Sequence, residues 1–145
     1  MNRKEFVLNA VSRKHDLVVE VSDRIFDFAE TGFHEFETAK LYQQVLEKEG
    51  FAVEMGIAGM PTAFKATYGN GKPVVGFLAE YDALPELSQV GGCTERKPVC
   101  GENPDGHGCG HNPFRRGDPG CGPGSEGIPG GESGEGDRDP FWMSQ

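Results

Sequence analysis

Five residues suited to holding a metal ion, Cys93, Cys100, His107, Cys109 and His111, fall within 19 positions of the sequence. The sharpest arrangement among them is Cys109-Gly110-His111. A thiolate and an imidazole two positions apart on extended backbone point the same way. The glycine between them lets the chain bend around an ion. Zinc and its divalent neighbours accept both donor types. His107 is a further candidate, as a ligand or as a group that supports one. The stretch also fits a plainer description, a Gly-rich loop that happens to contain His and Cys, but five ligand-type residues this close together weigh against it. An alternative is a small structural zinc-binding module using Cys93, Cys100, Cys109 and His111. Its cysteine gaps are wider than the two to four residues of the usual knuckle, and outside that alternative Cys93 and Cys100 are read as incidental.

A second cluster, Glu80-Tyr81-Asp82, directly follows the apolar run Pro73 to Ala79. In open α/β sheets, catalytic carboxylates come from the C-terminal ends of strands. A carboxylate there can accept the spare N–H of a metal-bound imidazole and fix its tautomer. Alone, this would be an acidic turn. Beside the Cys/His loop, Asp82 and Glu80 become candidate site residues. His15 and His34 lie in or near helical segments, where lone histidines serve surfaces or packing, and receive no role.

The elements that must position these residues follow from periodicity. Val7, Ala10, Val11, Leu17, Val18, Val21, Ile25 and Phe28 recur mostly at steps of three and four, which predicts one long amphipathic helix ending at Thr31-Gly32. A second helix is predicted from Glu35 to Glu49, with Ala39, Leu41, Tyr42, Val45 and Leu46 as its buried stripe and Gly50 as its C-terminal cap. The period then shortens. Phe51 to Met55 and Thr62 to Tyr68 read as strands, and Gly69-Asn70-Gly71-Lys72 as a hairpin turn. Pro73 to Ala79 has strand length and no polar face, as a central strand buried on both sides would. The expected class is α/β, a mixed sheet with helices packed on it. From Pro85 to Asn112 the pattern gives way to a long loop, where α/β enzymes keep their chemistry.

The net charge is −9, from 23 acidic and 14 basic residues, with no basic stripe, so nucleic acid is not an expected partner. The start lacks the apolar run of a signal peptide, and no stretch approaches the ~18–20 apolar residues of a membrane span. The expected compartment is the cytoplasm, where the four cysteines would be free thiols or metal ligands. Composition changes sharply after Asn112. Of the 33 residues from Pro113 to Gln145, nine are glycine and five are proline. The few scattered apolar residues there cannot offset the entropy of ordering, so 113–145 is expected to be a disordered tail and 1–112 the structured unit.

Three motifs carry a family resemblance. Glu30-Thr31-Gly32-Phe33-His34-Glu35-Phe36-Glu37-Thr38 resembles the E-x-G-x-x-E-x-x-T opening of the aminoacylase/carboxypeptidase-like zinc amidohydrolases, a metallopeptidase family. Gly76 to Pro85 resembles their strand end, R-A-(D/E)-M-D-A-L-P. Gly106-His107-Gly108-Cys109-Gly110-His111-Asn112 is similar to their H-A-C-G-H-D metal motif. Tyr81, Leu87-Ser88-Gln89 and the terminal Asn112 point to the aminobenzoyl-glutamate utilisation protein B-like branch. The resemblance covers nearly all of residues 1–112. It implies the N-terminal part of a dinuclear-metal, aminopeptidase-like catalytic domain. The implied cofactor is a pair of divalent ions, zinc or manganese. The implied reaction is hydrolysis of an N-acyl amide, of the aminobenzoyl-glutamate type or in a dipeptide, by metal-activated water. The implied assembly is a homodimer or hetero-oligomer. By position, Cys109 and His111 match metal ligands, and Asp82 matches the carboxylate that supports one. Glu80 stands where related peptidases place a ligand histidine.

After Asn112 the family pattern stops: the expected helix, strand and Glu-Glu pair are missing. Trp142 and Met143 have single codons, and with Ser144 a frame shifted by one base there encodes only Gly-Cys or a stop. Family members carry Gly-Cys at that place. The tail is therefore expected to be an out-of-frame product, and the 145-residue chain to be inactive alone.

Overall fold

The computed structural model describes residues 2–99, 101 and 103–112. Cys100 and the expected tail at 113–145 lie outside the described residues.

The single long helix predicted at the start is two helices, α1 (Arg3–Arg13) and α2 (His15–Phe28). Asn2 opens α1 with a reciprocal capping box, its side chain accepting from the Glu5 N–H while Glu5 accepts from the Asn2 N–H. The break falls at Lys14, whose ammonium reaches the Glu49 carboxylate at the end of the next helix, 2.5 Å away. Helix α1 buries no residue, so only α2 is held by packing, through Ser22 and Ile25. It ends on Ala29, which adopts a left-handed φ of 45°.

Helix α3 (Phe36–Lys48) lies within the predicted span and buries Thr38, Ala39, Leu41 and Leu46. Gly50 takes the left-handed conformation expected just past a helix end, at φ 92°. Strands β1 (Ala52–Met55) and β2 (Phe64–Thr67) then pair antiparallel, Ala52 against Thr67 through Met55 against Phe64. Between them the chain turns at Gly56 and Ile57, whose N–H groups both donate to the Ala63 carbonyl. Leu46, Phe51, Phe64 and Ala66 form the core between α3 and this hairpin, with Tyr42, Val53, Met55 and Tyr81 packed on it.

Two predicted elements are not formed. The Asn70-Gly71 turn does not close a hairpin, because β2 takes β1 as its partner, and the described sheet has two strands. Pro73–Ala79 is neither a strand nor buried. Val74 is 84% exposed and Leu78 is 90% exposed. A strand without a polar face is stable only when covered on both sides, and the described helices pack elsewhere. No helix among the described residues is long and apolar enough to cross a membrane.

Candidate functional site

The three motifs converge, and Glu30 is the residue that joins the first two. Helix α3 has no side-chain cap of its own at Glu35. Its first N–H groups, which lack helical partners, are met from a distance by the Glu30 carboxylate. Oε1 accepts from the Glu37 N–H at 2.9 Å, and Oε2 accepts from both the Thr38 N–H and the Thr38 hydroxyl at 2.8 Å. Thr38 is 1% exposed, so these groups have no recourse to water. The negative charge also suits the positive end of the helix. The Glu30 carbonyl accepts from the Ala83 N–H at 2.7 Å, beside a parallel bridge from Thr31 to Ala83. One residue thus fixes both the start of α3 and the segment that carries the acidic cluster.

Within Glu80-Tyr81-Asp82, Tyr81 anchors the segment. Its ring lies 5.5 Å from that of Tyr42 and 5.9 Å from that of Phe64, and its hydroxyl donates to the Thr62 carbonyl. Burial, reinforced by Glu35, Tyr42 and Glu30, pushes the phenol up to about 12. The two flanking carboxylates, by contrast, reach His111.

The third motif is pinned at Gly106. Leu84 N–H donates to the Gly106 carbonyl at 2.9 Å, and Gly106 N–H returns to the Leu84 carbonyl at 3.0 Å. A Cβ at Gly106 would fall 2.2 Å from the Leu87 carbonyl oxygen, so this approach of two backbones admits only glycine. Next to it, His107 faces α2. Its Nε2 lies 3.0 Å from the Ile25 carbonyl, which can only accept, so the proton is on Nε2. The other nitrogen, Nδ1, is buried without a hydrogen-bond partner. Burial holds His107 below its ordinary pKa, and nearby His111 acts in the same direction, against the opposing bond to Ile25. The candidate ligand or supporting residue His107 is thus placed as a neutral strut between the loop and α2. Asn103 makes a parallel tie, its amide 3.3 Å from the carbonyls of Phe28 and Ala29.

His111 and Asp82 meet as the motifs suggest, with Nδ1 and Oδ1 2.8 Å apart. Asp82 fixes the ring through Nδ1, which leaves Nε2 as the nitrogen that could face an ion. Glu80 Oε2 stands 3.4 Å from Nε2, close to the separation of about 3.3 Å between two donors bound tetrahedrally to one zinc. Cys109 is a free, exposed thiol. Among the described residues no group of three or more His, Cys, Asp or Glu side chains could hold a metal ion. The arrangement fits one edge of a metal centre, a supported imidazole with a facing carboxylate, and falls short of a closed site.

Cys93 departs from expectation. It is disulfide-bonded and not a free thiol, so its sulfur is unavailable to the alternative zinc module. The contributions of Glu30, Gly106 and Asn103 are additions that the sequence does not announce. Glu30 and Gly106 stand inside recognisable motifs, but nothing in their spacing signals a remote helix cap or a backbone contact.

No family model matches the chain. It is 44% identical over 108 residues to the B subunit of p-aminobenzoyl-glutamate hydrolase from Escherichia coli (strain K12), a match covering 74% of this chain and 22% of that protein. It is 33% identical over 87 residues to thermostable carboxypeptidase 1 of Saccharolobus solfataricus (strain ATCC 35092 / DSM 1617 / JCM 11322 / P2), covering 59% of this chain and 22% of that one. The chain spans about a fifth of the length of these relatives, 22% in each case.

Proposed function

Since the matched stretch belongs to the aminoacylase/carboxypeptidase-like hydrolase family, in its aminobenzoyl-glutamate branch, we propose that this chain carries one wall of a metal-dependent amide-hydrolysing site. The observation that supports it most directly is the 2.8 Å contact between Asp82 and His111. A carboxylate on Nδ1 is the usual support of a metal-bound imidazole, fixing its tautomer and raising its basicity. His111 and Cys109 would hold the ion, with Glu80 facing the same position. Zinc or manganese, two ions in the complete site, would polarise the amide carbonyl and activate water. The chain's own residues orient that centre. Asp82 holds the ring of His111, Tyr81 anchors the segment bearing Asp82, and Gly106 keeps the Cys109–His111 turn against Leu84.

The substrate class is a small N-acyl amino acid or dipeptide, with aminobenzoyl-glutamate the type that the first relative's name points to. That relative is named as one subunit of its enzyme, which favours a hetero-oligomer here. The cytoplasm is the proposed compartment. The described donors are too few for turnover, so the chain alone is inactive and binds metal weakly. We also propose that 113–145 is translated out of frame. Sequencing the DNA beyond codon 112 tests this, and an intact frame with homologues sharing the tail refutes it.

Isothermal titration with Zn²⁺ tests the site. Binding should be lost in His111→Ala and retained in Cys93→Ser. Loss in Cys93→Ser would favour the structural zinc module, and amidase activity from the purified chain would refute its inactivity.

A further inference from the structure

The turn after β2 sets two groups side by side that react with each other unaided. Asn70 and Gly71 follow Thr67, the last residue of β2, and both are exposed. Turns run over the surface whatever packs on the elements they join. Neither the Gly71 N–H nor the Asn70 side chain has a hydrogen-bond partner among the described residues. A Cβ added at Gly71 would meet nothing within 4 Å, so its nitrogen is free to swing toward the side chain before it. The other four asparagines lack this combination. Asn2 is held by the Glu5 N–H as the cap of α1. Asn9 precedes Ala10 inside α1, where the N–H is committed to a helical bond. Asn103 and Asn112 precede Pro104 and Pro113, which have no N–H. The analogous pair Asp105-Gly106 is restrained at both ends. The Gly106 N–H donates to the Leu84 carbonyl at 3.0 Å, and Asp105 Oδ1 accepts from the Glu86 N–H at 3.1 Å.

We propose that Asn70-Gly71 is a self-modification site, at which the asparagine converts to isoaspartate and aspartate while the folded chain protects Asp105-Gly106 from the same chemistry. The Gly71 nitrogen attacks Cγ of Asn70. An N–Cγ bond forms, the Cγ–Nδ2 bond breaks, and ammonia leaves with the proton that Gly71 gives up. The product is a five-membered succinimide ring. Water then adds to one of its two carbonyls. Opening at the former main-chain carbonyl leaves the chain running through Cβ and Cγ, as isoaspartate. Opening at Cγ gives aspartate. Water in and ammonia out balance the change, with no oxidant or reductant. Either product puts a carboxylate two residues before Lys72. Isoaspartate also lengthens the backbone by one carbon ahead of the segment that runs to Glu80-Tyr81-Asp82. This inference is independent of the metal site and of the proposed activity.

The test holds the full 145-residue chain in mildly alkaline buffer, with far-UV circular dichroism showing the helices intact, and follows it by peptide mass spectrometry. The peptide containing Asn70 should gain one dalton and resolve into two products, and protein isoaspartyl methyltransferase should label the isoaspartate. Gly71→Ala should slow the gain about tenfold, since the added Cβ restricts the approach of the nitrogen. Asn70→Gln, which would need a six-membered ring, should abolish it. In urea the restraints on Asp105-Gly106 are lost, and methyl label should then appear there as well. An unchanged mass at Asn70, or a gain that ignores Gly71→Ala, overturns the proposal. So does labelling of Asp105 in the folded chain as fast as that of Asn70, because the hydrogen bonds at Gly106 and Asp105 would then protect nothing.

Discussion

Replacing Gly106 by alanine should cost about 3 kcal/mol of stability, through sterics alone. Gly106 does not have the left-handed φ that would explain a glycine. What it lacks is room: the added Cβ would meet Leu87 O at 2.2 Å, Leu87 C at 2.7 Å and Ser88 Cα at 2.8 Å. All three atoms are backbone, so no rotamer change relieves the contact. The two segments must part by about 1 Å to reach an ordinary van der Waals distance. The two hydrogen bonds to Leu84, at 2.9 and 3.0 Å, do not survive such a shift. Overpacking contributes about 1–3 kcal/mol, and each lost hydrogen bond adds about 1 kcal/mol. In urea, with a slope of about 1.5 kcal/mol per molar for a domain this small, the midpoint should fall by about 2 M. Gly110→Ala is the control. Gly110 has a φ of 78° and nothing within 4 Å of its added Cβ, so it should lose only the conformational penalty of about 1–2 kcal/mol. If Gly106→Ala proves no more damaging than Gly110→Ala, the close approach of the two backbones is wrong.

Glu30→Gln keeps the shape but removes the charge from an acceptor serving three donors. It should cost about 2 kcal/mol in urea unfolding, and an unchanged midpoint would refute the remote cap. Tyr81 titrates near 12 in the folded chain and near 10 when unfolded. Between those values the unfolded state has lost its proton and the folded state has kept it, so stability falls as pH rises and is fully present below pH 10. The loss, discounted for partial solvent exposure, is about 1–2 kcal/mol. Tyr81→Phe should flatten unfolding midpoints measured from pH 9.5 to 12. Asp82→Asn should weaken Zn²⁺ binding about 10- to 100-fold while moving the urea midpoint little, a split that a merely structural carboxylate would not give.

Helix α3 is legible in the sequence because its apolar residues, its Gly50 terminus and its length all agree. The break at Lys14 falls in the six-residue step from Val11 to Leu17, the one gap in the apolar series, which the reading of a single helix passed over, and an ion pair to Glu49 carries no local signature. The Asp82–His111 pair follows from motif logic. Pro73–Ala79 misleads for a physical reason: an apolar run shows that a segment wants cover and says nothing about whether cover is present. The Cys93 disulfide escapes a reading that assigns the thiols from a compartment inferred from composition. The role of Glu30 is hidden because the donors it serves lie seven and eight residues away, beyond the reach of any helix-start pattern.

The ties that build the site have a kinetic consequence. His107 reaches Ile25 across 82 residues, Asn103 reaches Phe28 across 75, and His111 reaches Asp82 across 29. The contacts of α3 with the β1–β2 hairpin close far shorter loops. Loop-closure entropy therefore orders assembly, with the helix and hairpin forming first and the motif around His111 docking last. Substitutions at His107 or Asn103 should accelerate unfolding while leaving the folding rate nearly unchanged, whereas truncating Leu46 or Phe64 should slow folding itself. The segment that bears the candidate site would then be the first to open, on a timescale set by its own few anchors and not by the core beneath it.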